Sequence, residues 1–291
     1  MGQTITFSGL EWKVKHQPDQ MRGPGRNYWS DEQVWVDDEG RLHLRLAQSG
    51  ERWYCAEVES VERFGYGQFT WRTVGYLDLL APQVVAGLFV NPPPEVGPAG
   101  TNGIDIEIAY LPHLQSQGPS CNLVYGVYPS ALETGQRKEQ AFRFDLTGTY
   151  TTHQFRWTRQ RVDFKSWHGH EPDHLLVFGE FNHAPVDWEA CMPSQSMPVH
   201  INLWLLAGKE PEDGKAAEII IRDFVHTPLP AEEILPLQVV ERQHIRKALE
   251  FTDWRIRGPN GAALLLGLNE GTLRSRMKKL GIERPPKRGD I

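Results

Sequence analysis

From residue 3 to about residue 228 the chain consists of short apolar or alternating runs that are separated by Gly, Pro, Asn and Asp. Typical runs are RLHLRLA (41–47), YGQFTWRTV (66–74), VVAGLFV (84–90), HINLWLLAG (200–208) and AEIIIRDFVH (217–226). They are rich in β-branched and aromatic residues, and no segment in this region sustains a helical period. The pattern predicts many short strands in two packed antiparallel sheets, a jelly-roll β-sandwich.

The period changes after residue 228. HTPLPAEEILPLQ (226–238) carries three prolines and two glutamates, and the apolar positions beyond it recur at helical spacing, at Leu237, Val240, His244, Ala248 and Leu249. We therefore expect a multidomain chain, with a β-sandwich over 1–228, a linker over 229–236 and a small all-α domain over 237–291.

Two further short helices are predicted in this last domain. Gly258-Pro259 is expected to open the first, because proline is tolerated in the first turn of a helix, and Gly267 is expected to end it. Asn269 is a suitable N-cap for the second, whose buried stripe would be Leu273, Met277 and Leu280, with Gly281 after its last turn. Two short helices joined by a turn, the second with a basic face, are typical of a helix-turn-helix; a helical hairpin with a solvated basic face is the alternative.

Charge is divided unevenly along the chain. Residues 241–291 hold 12 Lys and Arg against 6 Asp and Glu, whereas residues 1–240 hold 19 against 31. A basic segment at one end of an acidic protein suits an anionic partner such as nucleic acid, although a solvated basic tail gives the same composition.

The tail also resembles a known family. GPNGAALLLGLNEGTLRSRMKKLGI (258–282), preceded by VVERQHIRKALEFTDWRI (239–256), resembles the Fis-type DNA-binding domain at the C-terminus of NtrC-like regulators. The resemblance implies binding to double-stranded DNA as a homodimer formed through the helix near 237–252. It also implies DNA contacts from Asn260, Asn269, Thr272, Arg274, Lys278 and Lys279. Glu270 departs from the family, whose members often have Arg there. No GxxxxGK[ST] segment is present, so an ATPase module is not expected.

One segment of the body carries candidate chemistry. In GIDIEIAY (103–110), a strand would point Gly103, Asp105 and Glu107 to one face and the isoleucines to the other. Two carboxylates on one face can perform acid/base catalysis, bind a cation or hold sugar hydroxyls. An ordinary solvent-facing strand shows the same alternation.

The order of elements in the body resembles glycoside hydrolase family 16, the laminarinase- and lichenase-like jelly rolls with a concanavalin-like fold. The segments that carry the resemblance are ERFGYGQFTWRTV (62–74), HQFRWTRQRVDFKSWHG (153–169) and AEIIIRDFVH (217–226). The signature strand of that family reads Glu-x-Asp-x-Glu, with the first Glu as nucleophile and the last as acid/base. Here Gly103 stands at the nucleophile position, while Asp105 and Glu107 match the other two.

Glycine cannot form the covalent intermediate of a retaining glycosidase, so the resemblance implies carbohydrate binding without turnover. The expected carbohydrate contacts are Trp53, Tyr54, Trp167 and Asn102. Buried core aromatics are the commoner use of such residues. The Asp105–Glu107 pair could still serve a hydrolase of non-standard mechanism.

The remaining features exclude several classes of protein. The N-terminus lacks a secretory pattern and no apolar run is long enough to cross a membrane, so we expect a cytoplasmic protein. Cys55, Cys121 and Cys191 are few and widely spaced, which predicts reduced thiols rather than a disulfide framework or structural zinc. No cofactor is expected, and HGHEPDH (168–174) lacks a regular metal-ligand spacing. The sequence leaves open whether the sandwich binds a structural calcium ion.

The two halves together predict a transcriptional regulator whose degenerate glycosidase-like domain senses a glycan. Two alternatives remain at this level: a cytoplasmic glycosidase that uses its tail to bind DNA or oligomerise, and a DNA-binding protein whose β domain binds another protein. The linker at 229–236 is where coupling between the halves would be expected.

Overall fold

The structure is a computed structural model that describes residues 3–97, 100–117, 121–129, 137–171, 176–229 and 237–284. Within it the chain divides into two compact units, Met1–Leu229 and Pro230–Ile291. The predicted linker, apart from Leu229, lies outside the described residues, as do His174 of the histidine-rich segment and the prolines at 285–286.

Eight strands of the described residues form one antiparallel sheet. In spatial order they are β1 (Thr4–Phe7), β2 (Leu10–Val14), β7 (Arg52–Phe64), β16 (Met197–Leu205), β9 (Val84–Val90), β10 (Ile104–Ile108), β11 (Leu123–Val127) and β12 (Lys138–Phe142). The numbering follows the chain, so neighbours in this sheet come from distant parts of the sequence.

A second antiparallel sheet contains seven strands of the described residues. In spatial order they are β5 (Val34–Val36), β6 (Leu42–Ser49), β17 (Ala217–Pro228), β8 (Gly67–Val74), β13 (Tyr150–Trp157), β14 (Val162–His168) and β15 (Leu176–His183). The β6–β7 pairing connects the two sheets. A hairpin of β3 (Gln17–Arg22) and β4 (Asn27–Trp29) packs beside them, with β4 parallel to β7. The short helical turns are Asp31–Gln33, Leu77–Leu79, Pro112–Gln117, α1 (Trp188–Cys191) and Leu206–Gly208.

The core of this unit is formed by the inner-facing side chains of the two sheets. Large, fully buried aromatics dominate it, among them Trp12, Trp29, Trp71, Trp157, Tyr125, Phe69 and Phe155. On β10 burial alternates: Ile104, Ile106 and Ile108 are buried, whereas Asp105 and Glu107 face outward and are partly exposed. The predicted jelly-roll sandwich is thus confirmed, and so is the predicted placement of the isoleucines and the carboxylates on opposite faces of β10.

The C-terminal unit consists of α2 (Leu237–Phe251), α3 (Ala262–Leu265) and α4 (Glu270–Lys279). Its small core contains Ile245, Ala248, Leu249, Ala262, Ala263, Leu273 and Ile282. The five positions at helical spacing do lie on α2, but only two of them face this core. Ala248 and Leu249 are buried, but Leu237, Val240 and His244 are exposed, and Ile245 replaces them in the core.

The predicted start of the second helix is wrong. Gly258 has a φ of +84°, which is outside the helical region, and the chain makes a turn before α3 begins at Ala262. Gly261 permits this turn, because a Cβ at that position would lie 2.5 Å from the backbone oxygens of Ile256 and Arg257. In the described part of the chain, the longest helix has 15 residues, and no helix has the length and apolar character needed to cross a membrane.

Candidate functional site

The outer face of the first sheet carries two rows of side chains that run across the strands. Asp105 of β10 is in register with Phe89 of β9, which is in register with His200 of β16. One row further along, Glu107 is in register with Gly87, which is in register with Asn202. Glu57 of β7 extends this second row beyond Asn202.

These rows form the floor of a cleft of about 390 Å³, which we call the polar cleft. Its lining includes Lys15, Glu57, Phe89, Asp105, Glu107, Tyr128, His200, Asn202 and Trp204. The cleft brings together residues from four strands, β7, β9, β10 and β16, including the two carboxylates that were predicted from the β10 pattern.

One end of the polar cleft is an acidic cluster closed by an arginine. Arg137 lies 3.8 Å from Glu107, pairs with Glu139, and stacks over the Tyr128 ring at 4.7 Å. The hydroxyl of Tyr128 in turn favours the ionised form of Asp105 and so lowers its pKa. The carboxylates are therefore held by neighbours from outside β10 rather than standing free in solvent.

Burial and, as the second cause, the negative charge of Glu107 together raise the pKa of Asp105 to about 8. Burial also raises the pKa of Glu107, against the opposing effect of Arg137. The two groups titrate as a pair, and near neutral pH the pair retains a proton that it can donate in a hydrogen bond.

An aromatic ring lies directly beside Gly103, the position at which the resemblance predicts a nucleophile. A Cβ built on Gly103 would lie 2.9 Å from Cδ2 of Tyr128, closer than side-chain atoms approach one another. Position 103 has no carboxylate, and Tyr128 also fills the volume into which any side chain there would extend.

The other end of the cleft holds a second charged cluster. Lys15 Nζ lies 2.8 Å from Glu57 Oε2 and 3.8 Å from the centroid of the Trp29 ring, and His200 Nδ1 lies 3.3 Å from Glu57 Oε1. Burial opposes ionisation of Glu57, but the hydrogen bond from His200 and the charge of Lys15 outweigh it and lower the pKa of this glutamate. Both oxygens of Glu57 are thus engaged within the protein.

Asn202 lies between the two clusters. Its side chain is only 2% exposed, and its Oδ1 has no hydrogen-bond partner. A buried amide oxygen without a partner is costly to the folded state.

The four predicted carbohydrate contacts are not among the residues that line this cleft. Trp53 and Trp167 are buried, at 7% and 5% exposure, with unpartnered indole nitrogens. Tyr54 packs against Tyr28 with ring centroids 6.2 Å apart. Asn102 is buried with a φ of +54°, and its side chain hydrogen-bonds to Thr101 Oγ1 at 3.4 Å.

Several cleft residues were not singled out from the sequence for this role. Glu57 and Phe89 lie on strands whose register cannot be read from local pattern, and Lys15, Tyr128 and Arg137 lie next to the ends of strands. A usable signal did exist in HINLWLL, where His200, Asn202 and Trp204 alternate along one face of β16.

Within the described residues, no group of three His, Cys, Asp or Glu side chains is arranged to hold a metal ion. His153 and Ser166 belong instead to a hydrogen-bonded chain in the core, with His153 Nδ1 2.9 Å from Ser166 Oγ. His170 Nε2 lies 2.9 Å from the Thr73 carbonyl oxygen.

The second candidate site is the outer face of α4. Asn269 caps this helix, its Oδ1 accepting from the Thr272 backbone N–H at 2.7 Å. Arg274, Lys278 and Lys279 are exposed.

Other charged groups of the same unit are held by neighbours. Arg276 pairs with Glu241 of α2 at 2.8 Å, and Glu270 pairs with Arg257 at 2.5 Å. Asn260 is exposed in the turn before α3. The exposed cations of α4 can therefore reach an external anion, whereas Arg276 is directed to its own unit.

The comparisons with known proteins support both resemblances, that of the tail and that of the β-sandwich. Residues 236–280 match the family described as "Bacterial regulatory protein, Fis family", so the resemblance of the tail to this helix-turn-helix is confirmed. No match was found among curated protein sequences.

Solved structures with the fold of the sandwich include a Bacillus licheniformis β-glucanase, at 18% identity and a TM-score of 0.55, covering 78% of this chain and 95% of that one. Another is a pseudo β-1,3-glucanase of Mycobacterium tuberculosis, at 17% identity and 0.53, covering 74% and 89%. A Bacteroides ovatus family 16 protein in complex with a glucan product matches at 14% identity and 0.52, covering 74% and 94%. At these identities the likeness establishes the family 16 type of fold for the N-terminal part.

Proposed function

We propose that this protein is a DNA-binding transcriptional regulator whose family 16-like domain binds a carbohydrate without hydrolysing it. The observation that carries the proposal is the joining of two sites in one chain. One is a polar cleft that lacks the nucleophile carboxylate, and the other is a helix-turn-helix with exposed cations on α4. DNA binding implies that the protein works in the cytoplasm.

Exposed cations on α4 support the DNA-binding part. Arg274 can present two parallel N–H donors to a guanine, and Lys278 and Lys279 can neutralise phosphates. Asn260, Asn269 and Thr272, which match family positions, are proposed as further contacts near the start of the recognition helix.

The geometry around Gly103 supports binding without turnover. A retaining mechanism needs a second carboxylate about 5 to 5.5 Å from the acid/base group, and Tyr128 fills the space in which that side chain would extend. Asp105 and Glu107 are proposed as hydrogen-bonding groups toward sugar hydroxyls. Two of the structural neighbours, a pseudo-glucanase and a protein in complex with a glucan product, fit a binding role for this fold.

A homodimer through α2 is part of the proposal. Leu237 and Val240 on this helix are 81% and 45% exposed, and Phe251 at its end is 81% exposed. A row of exposed apolar side chains on a helix is typical of a contact with a partner. Two copies of the helix-turn-helix would read two half-sites of a palindromic operator.

The test uses the full chain. Binding to a glycan array, followed by product analysis for every hit, is expected to give binding without cleavage. The DNA sequence selected from a random pool is then expected to bind with an affinity that changes when the glycan is added. Binding to neither glycan nor DNA would overturn the proposal.

A glycosidase with a non-standard site is the second candidate, because the raised pKa of Asp105 and of Glu107 suits a general acid. Hydrolysis of a β-glucan oligosaccharide that disappears in Glu107→Gln would establish it. Absence of turnover across the same panel that shows binding would exclude it for those substrates.

A further inference from the structure

We infer that Glu270 reads a base in DNA, with its carboxylate accepting a hydrogen bond from the amino group of a cytosine in the major groove while Arg257 balances its charge. The inference rests on the proposed DNA binding and deepens it, because it names one base pair of the half-site. It also makes Arg257, in the turn before α3, a positioning residue for that contact.

Glu270 lies on the same side of α4 as two of the cations proposed to contact DNA. Glu270, Arg274 and Lys278 are spaced four residues apart, which places them in one line along a helix. Arg274 and Lys278 are exposed, and the side chain of Glu270 is 41% exposed. The inward side of the helix is marked by Leu273, which is fully buried. A duplex that contacts Arg274 and Lys278 therefore meets Glu270 as well.

The position of Glu270 within the helix suits a contact with a base rather than with a phosphate. It is the first residue of α4, directly after the N-cap Asn269. In a helix-turn-helix, the N-terminal residues of the recognition helix reach the edges of the bases. Phosphates repel a carboxylate, but the amino group of cytosine is a donor that a carboxylate matches. At this position an acid therefore contributes selectivity rather than overall affinity.

Arg257 lowers the cost of placing an acid close to DNA. Its Nε lies 2.5 Å from Glu270 Oε2, and it is the one cation that pairs with Glu270 in the described part of the chain. The pair lies at the surface, since the Arg257 side chain is 73% exposed. A carboxylate bound to a guanidinium retains lone pairs that can accept a further hydrogen bond. Arg257 thus holds the carboxylate in place and offsets its repulsion by the phosphates.

The spacing along α4 locates the cytosine relative to the guanine proposed for Arg274. Four residues advance about 6 Å along a helix, and successive base pairs are about 3.4 Å apart. We therefore expect the cytosine about one or two base pairs from that guanine, within the same half-site.

The experiment selects DNA from a random pool with the full chain, and then measures the affinity for the selected site and for its single-base variants at the assigned position. We expect the parent to prefer cytosine there by about 5- to 100-fold. Glu270→Ala is expected to lose this preference and to bind scrambled DNA more tightly than the parent, because one negative charge is gone. Glu270→Gln is expected to shift the preference toward adenine, since a glutamine amide matches adenine.

Glu250→Gln is the matched control for these variants. Glu250 pairs with Nε of Arg246 at 2.9 Å on α2. The substitution therefore removes the same charge from the same kind of ion pair in the same unit, but not from α4. We expect the selected sequence and the base preference to stay those of the parent.

Arg257→Ala tests the positioning role. It is expected to weaken binding to the selected site in the parent background, because the charge of Glu270 is then left without a partner. In a Glu270→Gln background the same substitution should cost much less, since no charge remains to be balanced. Equal costs in both backgrounds would show that Arg257 does not act through Glu270.

The outcomes separate the inference from the function on which it rests. If the parent and Glu270→Ala select the same base at every position, Glu270 does not read a base. If Glu270→Ala weakens binding to all sequences alike, Glu270 only stabilises α4, as an acid in the first turn of a helix does, and the inference is again wrong. Failure of the parent to select any sequence would instead contradict the proposed DNA binding.

Discussion

At the scale of single residues, the close approach of Tyr128 to Gly103 limits which side chains position 103 can carry. We expect Gly103→Ala to lower the free energy of unfolding by about 1 to 3 kcal/mol, because its Cβ would meet the Tyr128 ring at 2.9 Å. The same substitution in a Tyr128→Ala background should cost much less. A double-mutant cycle by chemical denaturation checks this, and equal costs in both backgrounds would show that the ring is not the obstacle.

His153 predicts a pH dependence of folding. It is fully buried, and burial lowers its pKa from 6.5 to about 3. Between these values the unfolded chain takes up a proton that the native state does not, so stability from this group falls with decreasing pH, by on the order of 1.4 kcal/mol per pH unit. Nine of the ten tryptophans precede residue 230, so tryptophan fluorescence follows unfolding of the sandwich.

The ionisation of Asp105 changes stability with pH in the opposite direction to that of His153. The two contributions must therefore be measured separately. Its pKa is raised to about 8, so its contribution to stability is complete below about pH 4 and is lost as the pH rises toward 8. The difference between the parent and His153→Gln isolates the histidine, and we expect the variant to lose less stability between pH 6.5 and pH 4. Parallel curves for the two proteins would contradict the assignment.

At the scale of elements, α4 makes a prediction that separates two kinds of contact. Arg274→Ala is expected to cost about 1 to 3 kcal/mol in DNA binding and to relax base preference. Lys278→Ala is expected to weaken all sequences alike and to reduce the slope of log affinity against log salt by about one. Affinities measured for selected and scrambled DNA over a range of salt concentrations check both.

Arg276→Ala is the control for this helix, since Arg276 already pairs with Glu241 of α2. It removes one positive charge from the same helix as Lys278→Ala does, but we expect it to leave the salt slope nearly unchanged. If Arg276→Ala reduced the salt slope and Lys278→Ala did not, a different face of α4 would contact the DNA.

The elements also show why some features could be predicted and others could not. Alternation on β10 is local, so the outward face of Asp105 and Glu107 was predicted correctly. The burial of Trp53 and Trp167 depends on which strands pair with theirs, and no local pattern reports that. The start of α3 was placed too early because Gly258-Pro259 is compatible with a first helical turn, whereas Gly258 adopts a φ of +84°, which a helical turn does not use.

The polar cleft illustrates the same limit for a site. Its floor needs the register of β16, β9 and β10, whose sequences are separated by loops and by about 100 residues between β10 and β16. The fold could be anticipated from strand spacing and resemblance. The contact of Tyr128 with Gly103, and the unpartnered Asn202, emerge only when distant strands are brought together.

At the scale of the whole molecule, a sensor requires that the cleft and the helix-turn-helix influence each other. Linkage then fixes a quantitative relation, since a glycan that changes DNA affinity by some factor must have its own affinity changed by the same factor when DNA is bound. We expect this reciprocity in the full chain, with factors of about 5 to 150 for typical coupling energies. Glycan affinity with and without saturating DNA, compared with DNA affinity with and without saturating glycan, checks it. If glycan and DNA bind with full independence, the two units share a chain without communicating, and the proposed sensing function fails even though both binding activities remain.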